Sequence, residues 1–561
     1  MKKTFILLLI VLASFLVSCE KNETNANAQF NQAVDNFTFQ ENNSYITADF
    51  RLSQQLAHEK QTIEISWEIT TGDRGAEIID VNLVKITRPE YEEGDVTVEL
   101  LATFTLGEFI KTKTYQFKVI AFLENTTTEK DSYVVYINID GFAKYYYDYA
   151  VADELVSNLE AFKEQGVFFE NLNTEFPSLT NPVQAMIISG TTSSGVENVY
   201  RYYDKTNDIV VQQARDNKAE TIYQAAVRRN IPTATIRHFP AEDVLNTYTL
   251  DKLYVNVEQG KEANQKERFM QAIKLVKGEE FINGTTLQRV EEVPRLLTIY
   301  VDDVDGLGHN YETVYGIRRA SNEEGRINNV LAAIEELDDL INQLVNAYKE
   351  RGIYNKTAFF ITTDHGMTPF GDTSWNPFGE YGKSKWPELR DKLKEINSSY
   401  IFEYLGPGDK PKLDTTVVGV STGLQMLLTF KNQRMTNEQL DAIKSSMEQE
   451  YYIEEVLTRS QLNQLGVWRG ANIDLLVIPK DRYHFHGRDN PNRRYQASGQ
   501  HDTMLSSSKN IYGLIFGGLV KTDLVINDQV SVASFGVMMA EVLGFKLRDA
   551  TTEGLDIFNN T

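Results

Sequence analysis

Three aspartates end runs of apolar and β-branched residues: "YVVYINID" closes at Asp140, "LLTIYVDDVD" at Asp305 and "TAFFITTD" at Asp364. Such runs read as buried strands, and in open α/β sheets ligands gather outside the carboxyl ends of the strands. One acid at a strand exit is ordinarily a turn former or a cap. Three at one edge, with histidines at short offsets, can converge on a cation. Of the seven histidines in the chain, His309 follows Asp305 by four residues in "DGLGH". The two glycines there predict a tight loop that lets both side chains reach one ion. His365 directly follows Asp364, and His501 lies in "SGQHDT", before the apolar run "IYGLIFGG". Carboxylate oxygens with imidazole nitrogens suit zinc, with manganese or iron as alternatives. His484 and His486, in "RYHFHGRD", are candidate substrate contacts.

A nucleophile is the remaining need, and "NTEFPSLTNPVQAMIISG" offers Thr180, followed by Asn181, Pro182 and a segment ending at Gly190. Proline is favoured in the first turn of a helix, which predicts a helix starting at or beside Thr180. The free N–H groups and the dipole at such a terminus favour a phosphate-like anion. A plain threonine N-cap is the competing reading of the same residues.

The elements that must position these residues follow from pattern. From residue 133 to about 557, buried-looking strands alternate with helical stretches such as "INNVLAAIEELDDLINQLVNAYKERG". This predicts an α/β domain with a mostly parallel central sheet flanked by helices. Residues 374–470 do not fit the alternation and are read as an inserted cap. Residues 36–122 instead hold short β-rich runs, "SYITADFRL", "TIEISWEIT", "VTVELLATFTL" and "KTYQFKVIAFL", separated by polar turns. These predict a small β-sandwich, joined to the α/β domain by a linker over 123–132.

At 561 residues the chain is long enough for two or more domains, and its formal net charge of −23 argues against a protein that grips nucleic-acid duplexes through a basic face. The single cysteine, Cys19, excludes an intramolecular disulfide. It closes "MKKTFILLLIVLASFLVSC", a basic start followed by an apolar run too short to span a bilayer comfortably, so residues 1–18 read as a signal peptide. "LVSC" resembles a bacterial lipobox. That resemblance implies a lipidated Cys19, a polar tether over residues 19–35, and a cell-envelope protein that meets the membrane only through its lipid. "CEKNE" resembles the surface-export signals of some lipoproteins.

The order of the motifs resembles the alkaline phosphatase superfamily, and within it the type I phosphodiesterase/nucleotide pyrophosphatase family. "INIDGF", "FPSLTNP", "VDGLGH", "TTDHGM" and "SGQHD" are similar to that family's motifs in the same order. The sandwich is similar to atrophied bacterial immunoglobulin-like domains. The family resemblance implies two divalent metal ions, zinc in the first instance. Asp305, His309 and His501 would hold one ion; Asp140, Asp364 and His365 would hold the other, with the Thr180 oxygen as a further ligand. It implies hydrolysis of phosphate esters, small molecules or head groups, through a phosphothreonine. It also implies a bend at the strand end that turns both Asp364 and His365 to the metal, where regular alternation would point them apart. Two departures stand out. The family's asparagine three residues after the nucleophile is Val183 here, and its aromatic directly after the nucleophile is Asn181, which becomes the candidate phosphoryl-oxygen contact. A phosphomonoesterase of the same superfamily and an inactive surface binding lipoprotein are the alternatives.

Overall fold

The apolar runs after residue 132 assemble, among the described residues, into an eight-stranded sheet. The strands are β1 (Tyr133–Ile139), β2 (Gly166–Phe169), β3 (Thr233–Ile236), β4 (Lys252–Val255), β5 (Leu296–Val301), β6 (Thr357–Thr362), β7 (Gly513–Phe516) and β8 (Leu524–Ile526). Their spatial order is β4-β3-β5-β1-β6-β7-β2-β8. β7 runs antiparallel to both its neighbours, and every other adjacent pair is parallel. The computed structural model describes residues 26–39, 41–58, 61–79, 82–124, 128, 130–247, 249–257, 264–431 and 435–559. The signal-peptide reading and Cys19 lie outside them.

The sheet is covered on both faces, which is why its central strands are apolar without alternating polar positions. Val135, Ile137 and Ile139 of β1 pack into one core with Leu337 and Leu344 of the long helix Glu323–Glu350. Val134 and Tyr136 enter the opposite core with α1 (Thr180–Ser189) and the helix Ser534–Leu543. Each fully buried Val or Ile contributes roughly 1.5–3 kcal/mol of transfer free energy. Register then aligns the strand exits: Ile139 pairs with Val301, and Asn138 with Thr362. Three neighbouring parallel strands, β5, β1 and β6, therefore release their chains at one edge, where the three aspartates follow.

The region read as an inserted cap is a smaller α/β layer. It has a five-stranded sheet in the order Phe402–Tyr404, Val417–Thr422, Gln425–Phe430, Leu475–Pro479, Ile453–Thr458, with helices such as Trp386–Ile396. Its sheet runs to residue 479, beyond the limit of 470 read from the sequence.

The chain forms two compact units, the first built mainly from the residues before 122. That unit pairs a five-stranded sheet, with its long strands Gln61–Thr71, Val96–Leu106 and Phe109–Val119, with a three-stranded one. Ile63, Val98, Leu100, Phe104 and Phe117 fill the core. The tether expected over 19–35 is corrected at its far end: residues 26–35 are helical, and Phe30 and Val34 are buried in the sandwich core. Phe30, Ala33, Val34 and Phe37 recur at helical spacing within a polar stretch, and burying them outweighs the polar composition.

Candidate active site

The acids reach the site by three different backbone routes. Asp140 is the residue after β1, and the next residue, Gly141, adopts φ +74°. A Cβ on Gly141 would lie 2.8 Å from the Asp305 Cα, so glycine permits the close approach of the two acidic segments. Asp305 and His309 are carried by a single-turn helix, α2 (Asp303–Gly308), and its C-cap, not by the tight loop expected from the glycines. The His309 N–H donates to the Asp305 carbonyl at 2.8 Å, and four-residue helical spacing puts both side chains on one face. Asp364 and His365 lie beyond the end of β6, where strand alternation no longer applies. The Asp364 carboxylate accepts the His365 backbone N–H at 3.0 Å, so the two neighbours turn the same way.

All three histidines have Nδ1 engaged by a backbone carbonyl: His309 with Gly499 at 2.9 Å, His365 with Gly366 at 3.0 Å and His501 with Ser178 at 3.0 Å. This fixes the tautomer and leaves each Nε2 as a lone-pair donor toward the site. His309 Nε2 is 3.3 Å from Asp305 Oδ1, and His501 Nε2 is 3.7 Å from the same oxygen. His365 Nε2 is 3.3 Å from Asp140 Oδ1 and 3.6 Å from Asp364 Oδ2. Those three carboxylate oxygens, Asp140 Oδ1, Asp305 Oδ1 and Asp364 Oδ2, are buried and accept no hydrogen bond. Buried carboxylates without partners are costly, and a ring of oxygen and imidazole donors around them is what a divalent cation requires. Two donor sets fall within 4.8 Å: Asp140, Asp364 and His365, and Asp305, His365 and His501. His365 thus reaches toward both sets, while His309, expected in the second, falls outside that grouping although its Nε2 is near Asp305; the His365 ring stacks on His501 with centroids 3.6 Å apart.

The electrostatics agree. Burial, then the neighbouring Asp364 and Asp305 carboxylates, push Asp140 well above its ordinary range. Burial also opposes charge on Asp305 and His309. Their mutual attraction outweighs it, holding the acid low and the imidazole high, so a cation between them would have to take the place of the His309 proton. Burial and the adjacent His365 keep His501 neutral, the ligating form.

Thr180 is the first residue of α1, and Leu179 is the N-cap. The hydroxyl therefore does not cap the helix; Thr180 Oγ1 lies 3.1 Å from His365 Nε2 and donates to it. Val183 is fully buried in the core beneath the sheet and takes no part in the site. Asn181 lines a cavity of about 460 Å³ together with Thr180, Asp140, Asp305 and Tyr300. A second cavity, about 570 Å³, opens on the other side of Leu179 and His501. His484 and His486 part company here. His484 is buried with both ring nitrogens near carbonyls, Nδ1 3.2 Å from His486 and Nε2 3.4 Å from Gly382, so it is structural and not a substrate contact. His486 lines the second cavity.

The inserted sheet also touches the site. Gly423 turns its hairpin at φ +73°, and a Cβ there would lie 2.2 Å from the His501 carbonyl oxygen.

Sequence reasoning missed the support beneath Thr180. Gln184, one turn along α1, donates to Asn138 at 2.6 Å and accepts from His238 Nε2 at 2.9 Å. His238 Nδ1 then accepts from Tyr223. Tyr300 donates to Asp140 Oδ2, leaving Oδ1 aimed at the site. The available signal was polar residues inside apolar runs: Asn138 in "YVVYINI" and Gln184 in "VQAMII". Burial pulls His238 down to about 3, so it stays neutral. The unfolded chain takes up this proton near pH 6.5, so the contribution to stability is full above that pH and falls as pH drops toward 3. His238→Leu strands two buried polar partners. It is expected to lose about 2–5 kcal/mol at pH 7 in urea denaturation, with a smaller loss at pH 4. An equal loss at both pH values would refute the buried neutral imidazole.

The comparisons with known proteins fit this geometry. The family described as type I phosphodiesterase/nucleotide pyrophosphatase matches residues 134–504, and the atrophied bacterial Ig domain matches residues 26–122. The bovine ectonucleotide pyrophosphatase/phosphodiesterase family member 3 is 25% identical over 50% of this chain and 28% of its own length. The rat protein of that name is 23% identical over 62% of this chain and 35% of its own. This chain thus spans about a third of the length of these relatives. Human ectonucleotide pyrophosphatase/phosphodiesterase 5 shares the fold at a TM-score of 0.51 and 12% identity, covering 76% of this chain and 100% of its own. With residues 134–504 matched, about two thirds of its length, the chain belongs to the type I phosphodiesterase/nucleotide pyrophosphatase family.

Proposed function

We propose that the protein hydrolyses phosphate diesters or phosphoanhydrides with Thr180 as nucleophile and two divalent ions as cofactors. Asp140, Asp364 and His365 hold one ion, and Asp305, His309 and His501 hold the other. The observation that carries this is the set of three partnerless buried carboxylate oxygens facing three oriented Nε2 atoms, with the Thr180 hydroxyl among them. When bound, the ions supply the charge that lowers the pKa of that hydroxyl and stabilises negative charge developing at phosphorus.

The chain's own residues do the rest. Thr180 Oγ1 releases its proton to solvent and its lone pair forms the bond to phosphorus. The bond from phosphorus to the leaving oxygen breaks in line, and that oxygen departs with the electron pair. Water then cleaves the phosphothreonine and restores the hydroxyl. First-turn N–H groups of α1 have no intrahelical acceptor and favour an anion at Thr180. Asn181, which lines the cavity beside the nucleophile, holds a non-bridging oxygen. Asn181→Ala is expected to lower kcat about 100- to 1000-fold with little change in bound metal, as for removal of one oxyanion donor. Unchanged kcat would remove Asn181 from the mechanism. A cavity on each side of Leu179 and His501 supports a diester over a monoester, because both substituents on phosphorus then have room.

The deciding experiment is hydrolysis of bis(p-nitrophenyl) phosphate against p-nitrophenyl phosphate, with zinc and after chelation. Diester turnover lost on chelation supports the reading; preferential monoester turnover moves the protein to the phosphatase branch. Anchoring belongs to the same proposal: Cys19 carries lipid and holds the enzyme in the cell envelope. Cys19→Ser is expected to release the protein from the membrane fraction and abolish palmitate labelling, and persistence of both would exclude it.

A further inference from the structure

The second cavity is lined by cations that its own acids do not balance. Arg488 is already matched, paired with Asp409 and 3.0 Å from Asp489. Arg201 donates to neutral acceptors, Gln212 Oε1 at 2.8 Å and the Ser421 carbonyl at 2.9 Å, and lies 5.5 Å from the Tyr200 ring centroid; no carboxylate among the described residues forms an ion pair with it, though the buried Asp502 feels its charge. Arg493 lies over the Tyr495 ring, 4.9 Å from its centroid, and no carboxylate among the described residues pairs with it. Both arginines line the same cavity as His309 and His501, so their charge faces the flank of the proposed metal pair. The first cavity also holds two arginines, Arg215 paired with Glu242 at 2.9 Å and Arg237 bonded to Asn256 Oδ1 at 2.8 Å, but there Asp140, Glu242, Asp302 and Asp305 outnumber them.

Two guanidinium groups on one cavity wall without an ion pair among the described residues are a local reversal of sign in a chain of net charge −23. Guanidinium groups bind phosphate through directed, charge-assisted hydrogen bonds. His486, on the same wall, is held neutral by burial and then by Arg493 and Arg201, so it offers a polar contact without adding charge. Tyr404 and Tyr311 complete an amphipathic lining.

Resting on the proposed phosphoryl-transfer reading, we infer that Arg201 and Arg493 form a second anion subsite, which selects substrates bearing a further phosphate group beside the one attacked. Arg493 is the cleaner probe, because Arg201 also ties the strand Arg201–Asp204 to the inserted sheet through Ser421.

The test compares ATP, in which the α-phosphorus carries a pyrophosphate, with bis(p-nitrophenyl) phosphate, which has no second anion. The readout is the ratio of kcat/KM for the two. Arg493→Gln is expected to lower the ratio at least about tenfold, as for loss of a charged hydrogen bond. Arg493→Glu should lower it further, and Arg493→Lys should retain part of it. A structural defect lowers both rates and leaves the ratio unchanged, and an unchanged ratio overturns the inference. Turnover of the diester without any of ATP overturns it as well, while leaving the proposed chemistry standing. If neither substrate is turned over, calorimetric binding of ATP to Thr180→Ala decides the subsite alone. Affinity at least about tenfold weaker in Thr180→Ala/Arg493→Gln supports it, and equal affinity overturns it.

Discussion

Thr180→Ala is expected to reduce diester turnover by at least about a thousandfold, the scale of removing a covalent nucleophile, while zinc content and melting temperature stay close to those of the parent. The structural reason is specific. Leu179, not Thr180, is the N-cap, and the hydroxyl makes no capping hydrogen bond. Its recorded partner is His365 Nε2 at 3.1 Å, so alanine removes the reacting oxygen without removing a cap. Alanine is also the better helix former. None of the donors proposed for the ions is changed except the hydroxyl itself. Activity and metal content measured on the same preparation decide the matter. Near-full turnover would show that water attacks directly; loss of zinc together with turnover would make Thr180 a structural ligand first and a nucleophile second.

The second large effect concerns Asp364. Its Oδ1 is fully engaged, accepting from the His365 N–H and the Thr363 hydroxyl, each at 3.0 Å, while Oδ2 is buried and accepts from no group. Asp364→Ala deletes both functions. Bound zinc is expected to fall from about two ions per chain to about one, and turnover by at least about a thousandfold, as for other residues that act as one catalytic unit. The variant also loses the acceptor that turns His365 toward the site, so the stacking of His365 on His501 should relax. Asp364→Asn keeps the Oδ1 acceptor while weakening the ligand, and separates the two roles. If metal content measured by mass spectrometry stayed at two in Asp364→Ala, the assignment of this aspartate would fail.

Much of the site was legible because its residues sit where strands must end. The apolar runs before Asp140, Asp305 and Asp364 could only be buried strands, and adjacent parallel strands deliver their exits to one edge. The sandwich was legible from its turn-separated β-rich runs, and the inserted region only as a break in the alternation. Local conformation was harder. "DGLGH" looked like a glycine-rich loop and is a helical turn, because neither Gly306 nor Gly308 adopts a positive φ. The helix over residues 26–35 was hidden by its polar composition, although Phe30 and Val34 were spaced to share a face. The Gln184–His238–Tyr223 chain joins residues up to 54 positions apart, and no local pattern announces a contact of that range.

The hairpin turn at Gly423 bears on how such a protein can be rebuilt. An inserted layer over an active site invites treatment as an exchangeable part, cut out or grafted to alter what the enzyme accepts. Here the turn of that layer lies against the backbone of His501, with no room for even one added carbon. Whatever replaces the insertion must therefore also rebuild the wall behind the last histidine. One backbone contact thus couples the shape of the inserted layer to the position of a proposed metal ligand.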